Sequence, residues 1–270
     1  MLPNKLKAIW AEGRPSINGW LSIANGFTAE IMAAQGYDSI AIDLQHGAVD
    51  YQGALPMLQA MRASGVVPLV RVPWLEPGII MKALDAGAYG VICPMVNTAE
   101  QAAALVSAVR YPPLGQRSFG PTRANFSAGA NYAAEANGEI LAFAMVETAE
   151  AMANLDAIAA TPGLNGIYVG PADLTFSLAQ GRLAPAFDRE EPEMIEALHA
   201  IVAACKRHGI RAALHCGTAD YAARAIAWGF DMTTVSNDVR LLAGAAEAAV
   251  KRFRSLTDGM VAGPAAKGDY

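Results

Sequence analysis

The chain has 270 residues, 53% of them apolar and 17% charged, so it can bury a large core and does not read as disordered. A net charge of −5, with no basic patch interleaved with aromatics, argues against nucleic-acid binding. No apolar run reaches the ~18 residues of a membrane span, and Cys93, Cys205 and Cys216 have neither disulfide-framework nor zinc-type spacing.

Residues 1–5 carry no signal-peptide hydrophobic stretch, which makes a cytoplasmic location the expectation. Residues 4–14 read as a short amphipathic lead-in helix closed by Gly13 and Pro15. Strand one is 17–23, and Thr28 caps a helix that stops at Gly36. Strand two, 38–43, runs into Leu44-Gln45-His46-Gly47, and a helix covers 51–63. Strand three, 66–72, is followed by a helix at 77–86 that stops at Gly87. After strand four, 89–93, Thr98-Ala99-Glu100-Gln101 forms a capping box that opens the next helix.

Residues 112–138 break this rhythm with Gly115, Gly120, Pro121, Gly129 and Gly138 among Ser, Thr and Asn, as functional connections do. Strand five is 140–146 and its helix 149–160. Strand six is 166–169, with an irregular stretch at 175–190 and a helix at 191–208. Strand seven is 210–214, followed by a helix capped by Thr218 and stopped at Gly229. Strand eight is 231–235 and a helix covers 238–255.

The strands are continuous apolar runs, which indicates burial on both faces and a parallel sheet. Eight strand–helix alternations favour a closed TIM (β/α)8 barrel over an open doubly wound sheet. No Gly-x-Gly-x-x-Gly follows strand one, so a dinucleotide site loses its main support. The expected organisation is one barrel domain over 1–256 and a flexible tail over 257–270.

In such a barrel, polar residues at the C-terminal strand ends carry the chemistry. Glu147 follows strand five and Asp173 follows strand six, 26 residues later, about one strand–helix repeat. Two carboxylates on neighbouring strands at one rim suit a hard divalent cation such as Mg²⁺ or Mn²⁺, with open positions for water or substrate. Taken singly, each could equally cap the helix after it. Arg71 sits in Val-Val-Pro-Leu-Val-Arg-Val-Pro, where a guanidinium needs a partner: a substrate carboxylate, an enolate oxygen or a structural acid.

His46 stands three residues after Asp43, a spacing that lets the carboxylate orient the ring for use as a base. His215 is either a pocket residue or a packing group at its strand end, His208 suits a helix C-terminus, and His199 is mid-helix. Ser236-Asn237 follow strand eight. None of the six lysines falls at a strand end, which disfavours a Schiff-base mechanism and leaves polarisation to a metal.

Several segments resemble the HpcH/HpaI aldolase family. They are Asp43-Leu44-Gln45-His46, Val70-Arg71-Val72-Pro73, Pro94–Gln101, Arg110–Arg117, Val146-Glu147-Thr148 and Val169-Gly170-Pro171-Ala172-Asp173-Leu174. The resemblance runs in order from about residue 5 to 255. It implies a class II, metal-dependent aldolase on a barrel, joining pyruvate or a related 2-oxo acid such as hydroxypyruvate to an aldehyde. It implies Glu147 and Asp173 as ligands of Mg²⁺ or Mn²⁺, with Co²⁺ and other divalent ions also fitting. Arg71 matches the pyruvate-binding arginine, and His46 the base with Asp43 behind it.

In the same comparison Gly170 and Ala172 fall where family backbone groups meet the substrate carboxylate, and Pro171 and Trp20 join the substrate-binding set. The resemblance further implies a homohexamer of paired subunits with an exchanged last helix. One departure stands out: many relatives have Asp-Gly-Glu-His where this chain has Asp43-Leu44-Gln45-His46. The missing carboxylate bears on the acceptor aldehyde and the water network rather than on enolate chemistry; apolar and small residues in 115–130 and 175–190 are expected to shape the acceptor pocket, some of it from a partner subunit. The same enolate site could serve oxaloacetate decarboxylation or malyl- or citramalyl-type acyl-CoA cleavage, and the barrel could also bind a sugar acid without catalysis. CoA would want a basic patch, which the sequence lacks.

Overall fold

The computed structural model of the chain describes residues 1–260. Its frame is a closed, all-parallel barrel with strands in sequence order. The strands are β1 (Ser16–Leu21), β2 (Ser39–Asp43), β3 (Val67–Arg71), β4 (Gly90–Cys93), β5 (Leu141–Val146), β6 (Gly166–Val169), β7 (Arg211–Cys216) and β8 (Met232–Val235). In the first half lie α1 (Lys5–Ala11), α2 (Gly26–Ala33), α3 (Tyr51–Met61), α4 (Pro77–Asp85) and α5 (Ala99–Val109). Then come α6 (Ala124–Ala128), α7 (Tyr132–Glu139), α8 (Ala149–Ala153), α9 (Leu155–Ala159) and α10 (Pro171–Ala179). The described residues end with α11 (Pro192–His208), α12 (Ala219–Trp228) and α13 (Asp238–Thr257).

Every residue of β2, β4, β5 and β6 is buried, as strands covered on both faces require. The lead-in helix α1 lies by the strand starts. Trp10 packs edge-on against Phe143, donates through Nε1 to Ser16 Oγ at 3.0 Å, and lies under the Arg211 guanidinium. A polar chain crosses the interior. Ser39 Oγ donates to Asn18 Oδ1 (2.8 Å), and Asn18 Nδ2 donates to Thr234 Oγ1 (2.8 Å). Tyr168 Oη then bridges Thr234 Oγ1 (2.7 Å) and His215 Nδ1 (3.0 Å). All five residues are buried, so each polar group needs the partner it has.

The strands fall where the sequence places them, within two residues at each end, and the Thr98–Gln101 capping box forms. Five local readings change. Asn25, not Thr28, caps α2, its Oδ1 accepting from the N–H groups of Phe27 and Thr28. The 112–138 connection contains α6 and α7, and the helix expected at 149–160 splits at Asn154 into α8 and α9. The stretch after Asp173 is not irregular at its start: α10 begins at Pro171, whose fixed φ and missing N–H suit a first helical position. The helix expected at 238–255 extends to Thr257, so the proposed tail begins as helix, and its residues 261–270 lie outside those described. Among the described residues no helix is long and apolar enough to cross a membrane.

Candidate active site

The strand ends enclose a cavity of about 430 Å³ whose wall includes Trp20, Asp43, His46, Arg71, Glu147, Gly170, Pro171, Ala172 and Asp173. Every residue that the sequence assigns to the site is therefore brought to one place. Among the described residues no lysine lines this cavity.

Glu147 directly follows β5 and is 2% exposed. Its Oε1 accepts from the Met95 N–H at 2.8 Å, and Met95 holds a left-handed backbone (φ 55°) to aim that donor. Its Oε2 occupies space that only a glycine leaves free: a Cβ on Gly170 would lie 2.2 Å from it. Among the described residues Glu147 has no ion pair within 4 Å. Burial pushes its carboxyl up to about 7, the Asp173 charge adds to the rise, and the Met95 N–H and Arg71 only partly oppose it. Asp173 lies in the first turn of α10 and is exposed toward the cavity mouth.

Arg71 ends β3 and is held side-on by Asp43 from the neighbouring end of β2. Nε donates to Oδ1 at 2.8 Å and Nη2 to Oδ2 at 2.6 Å. Burial opposes ionisation of Asp43. The Arg71 hydrogen bond and charge outweigh it, with help from the His46 N–H and Trp20, and hold the carboxyl below its usual range. Trp20 Nε1 donates to Asp43 Oδ2 at 3.2 Å, and the Arg71 guanidinium lies over the indole at 4.9 Å.

This corrects one expectation. Asp43 does not orient the His46 ring; its Oδ1 accepts from the backbone N–H groups of Gln45 and His46 and from Arg71. A carboxylate three residues before a turn reaches the turn's amides more readily than a side chain beyond them. The His46 side chain is exposed at the cavity.

Other wall residues escaped the sequence reading. Tyr168, buried in an apolar strand, gave no signal beyond its hydroxyl. Arg240 comes from a segment that reads as ordinary helix, whereas Phe187 lies in the 175–190 stretch that the sequence offers as part of the acceptor pocket. His215 resolves as a wall residue that also packs: it stacks on Phe187 (4.9 Å) and meets Trp20 edge-on (4.8 Å). Burial pushes its imidazole down to about 3, with the Arg71 and Arg240 charges adding to the drop and Asp43 opposing it.

The HpcH/HpaI aldolase/citrate lyase family matches residues 17–244. The chain belongs to that family. It is 40% identical over 253 residues to a hydroxypyruvate/pyruvate aldolase of Rhizorhabdus wittichii, covering 94% of this chain and 100% of that protein. It is 34% identical over 256 residues to a 5-keto-4-deoxy-D-glucarate aldolase of Klebsiella pneumoniae, covering 94% and 98%. An HpcH/HpaI aldolase/citrate lyase family protein of Burkholderia cenocepacia superposes with a TM-score of 0.85 at 33% identity, covering 93% and 99%. As an HpcH/HpaI protein, the chain is an enzyme, a lyase of the aldehyde-lyase type.

HpcH/HpaI enzymes generally depend on a divalent metal ion. The residues present fit one: a buried carboxylate without an ion pair lines the same cavity as a second carboxylate whose charge it feels. No group of three or more His, Cys, Asp or Glu side chains could hold a metal among the described residues. An ion here would take two carboxylates and complete its oxygen shell with water or substrate.

The neutral, buried His215 also gives stability a pH dependence. The unfolded chain binds this proton near the ordinary value of 6.5, the folded chain only near 3. Its contribution is whole above pH 6.5 and is lost as pH falls toward 3, at up to about 1.4 kcal/mol per pH unit. Over the same range the buried Glu147 carboxyl, pushed up to about 7, acts in the opposite sense, so the His215 contribution is read as a difference: in urea unfolding, the stability of wild type relative to His215→Gln should fall from pH 7 to pH 5 with this slope. Parallel slopes in the two proteins would contradict the assignment.

Proposed function

We propose that the cavity cleaves and forms 4-hydroxy-2-oxo acids, with pyruvate or hydroxypyruvate as the enolate component and an aldehyde as the other. The observation that carries this is Glu147: a buried carboxylate, cradled against Gly170, beside a second acid and a fixed guanidinium. Glu147 and Asp173 would hold Mg²⁺ or Mn²⁺. The ion, when bound, supplies Lewis-acid polarisation of the substrate ketone.

The remaining roles belong to side chains and backbone. Asp43 takes Nε and one Nη2 proton of Arg71, which leaves Nη1 for the substrate oxygen that gains charge as the enolate forms. The free amides that begin α10, at Ala172 and beyond Pro171, favour the substrate carboxylate. Trp20 forms the surface under Arg71 and keeps water from that side. His46, exposed at the mouth, takes the C4 hydroxyl proton in cleavage and returns it in synthesis, directly or through a water.

We also propose that the enzyme is a cytoplasmic homo-oligomer, a hexamer of paired subunits. Three free, buried cysteines agree with a reducing compartment. The helix α13 leaves Leu242, Val250, Phe253 and Leu256 more than half exposed, an apolar stripe that a second copy of the chain would cover. Sedimentation should give a multimer that Phe253→Asp breaks down; a monomeric wild type would refute the proposal.

Pyruvate release from 4-hydroxy-2-oxo acids should fall to background with a chelator and return with Mn²⁺ or Mg²⁺. Gly170→Ala should weaken Mn²⁺ binding at least tenfold, read by paramagnetic resonance titration, because the new Cβ and Glu147 Oε2 cannot share their position. Turnover that survives chelation, or unaltered Mn²⁺ affinity in Gly170→Ala, would count against the metal site. His46→Ala should keep Mn²⁺ binding and lose on the order of 10²–10⁴-fold in aldol kcat; wild-type turnover would remove His46 as the base.

A further inference from the structure

A second cavity, of about 390 Å³, lies at the other end of the barrel, below the starts of β3 and β4. Its size falls within the roughly 300–1,000 Å³ of small-molecule sites. Apolar side chains from Leu58, Met61, Val66 and Tyr89 form much of its wall. Among the described residues no Asp or Glu lines it, yet three cations do: Lys5, Arg62 and Arg123. In a chain with five more acids than bases, that imbalance calls for an explanation.

The three cations are positioned but not neutralised. Lys5 Nζ donates to the Gly65 carbonyl at 2.8 Å, and Arg62 Nη2 to the Phe126 carbonyl at 3.0 Å. Arg123 donates to the carbonyls of Leu58 (3.2 Å) and Ala86. Among the described residues none of the three has a carboxylate within 4 Å. Arg123 is half-buried, and burial together with the nearby Arg62 charge disfavours its ionised form. An anion between the two guanidiniums would relieve that repulsion. Planar, forked donors suit a carboxylate, and the adjoining apolar wall suits a hydrocarbon body.

We propose that this cavity binds a small amphiphilic carboxylate, its aliphatic or aryl body against Leu58, Met61 and Val66 and its charged head between Arg62 and Arg123. The site is separate from the catalytic one: it lies at the opposite strand ends and shares no wall residue with it.

Calorimetry on the full-length protein tests this with four probes: octanoate, 4-phenylbutyrate, 1-octanol and acetate. The expected result is saturable binding of octanoate or 4-phenylbutyrate, one per chain, with 1-octanol and acetate at least tenfold weaker. Whichever of the two carboxylates binds more tightly tells an aliphatic from an aryl ligand. Arg62→Glu should weaken the bound carboxylate at least tenfold, and Lys5→Glu, on a different segment, should weaken it as well. Circular dichroism checks that both variants fold. The proposal fails if neither carboxylate binds, as it would if a second copy of the chain filled the cavity. It also fails if 1-octanol binds equally well, or if both charge reversals leave the affinity unaltered.

Discussion

A carboxylate taken out of water and given no cation is expensive to keep ionised. The rim of this barrel is arranged around one. Glu147 is buried just past the end of β5, braced by the Met95 amide and fitted against Gly170, and the charge of Asp173 adds repulsion rather than relief. A left-handed backbone at Met95 and a position closed to any Cβ at Gly170 are local costs that keep the carboxylate where it is. A divalent cation between the two acids would offset the burial and the repulsion together.

The other charged pair at the rim follows the opposite logic. Asp43 and Arg71 neutralise one another side-on, and Trp20 covers both. The pair leaves the guanidinium rigid, with donors to spare, instead of free to swing toward Glu147. The interior chain from Ser39 through Asn18, Thr234 and Tyr168 to His215 fixes the far wall in the same manner, by hydrogen bonds in a water-poor interior. One rim thus carries a charge-deficient half and a charge-balanced half, a fitting layout for an enolate that must be gripped at one end and stabilised at the other.

Much of this is legible in the sequence, for definable reasons. Parallel barrel strands are apolar throughout, so their ends stand out wherever a polar residue interrupts the run; Asp43, Arg71, Glu147 and Asp173 are all visible that way. Helix stops at Gly36, Gly87, Gly209 and Gly229 need the positive φ that these glycines adopt. What escaped depends on chain segments meeting in space. The Asp43–Arg71 pair joins β2 to β3, and the spacing of Asp43 and His46 suggested a nearer partner that the turn geometry does not provide. Arg240 reaches the cavity from a helix whose sequence reads as ordinary surface. The start of α10 was hidden because Gly170-Pro171 reads equally as a turn and as a helix entry.

The arrangement of Glu147 and Asp173 is the point on which the account turns, and it can be observed directly. Crystals soaked with Mn²⁺ and pyruvate, measured by anomalous diffraction, should show one Mn²⁺ peak bonded to both carboxylates, at the roughly 2.0–2.6 Å of hard-cation oxygen contacts, with the 2-oxo acid beside Arg71. An ion bound away from these two acids, or none at a saturating concentration, would contradict the account.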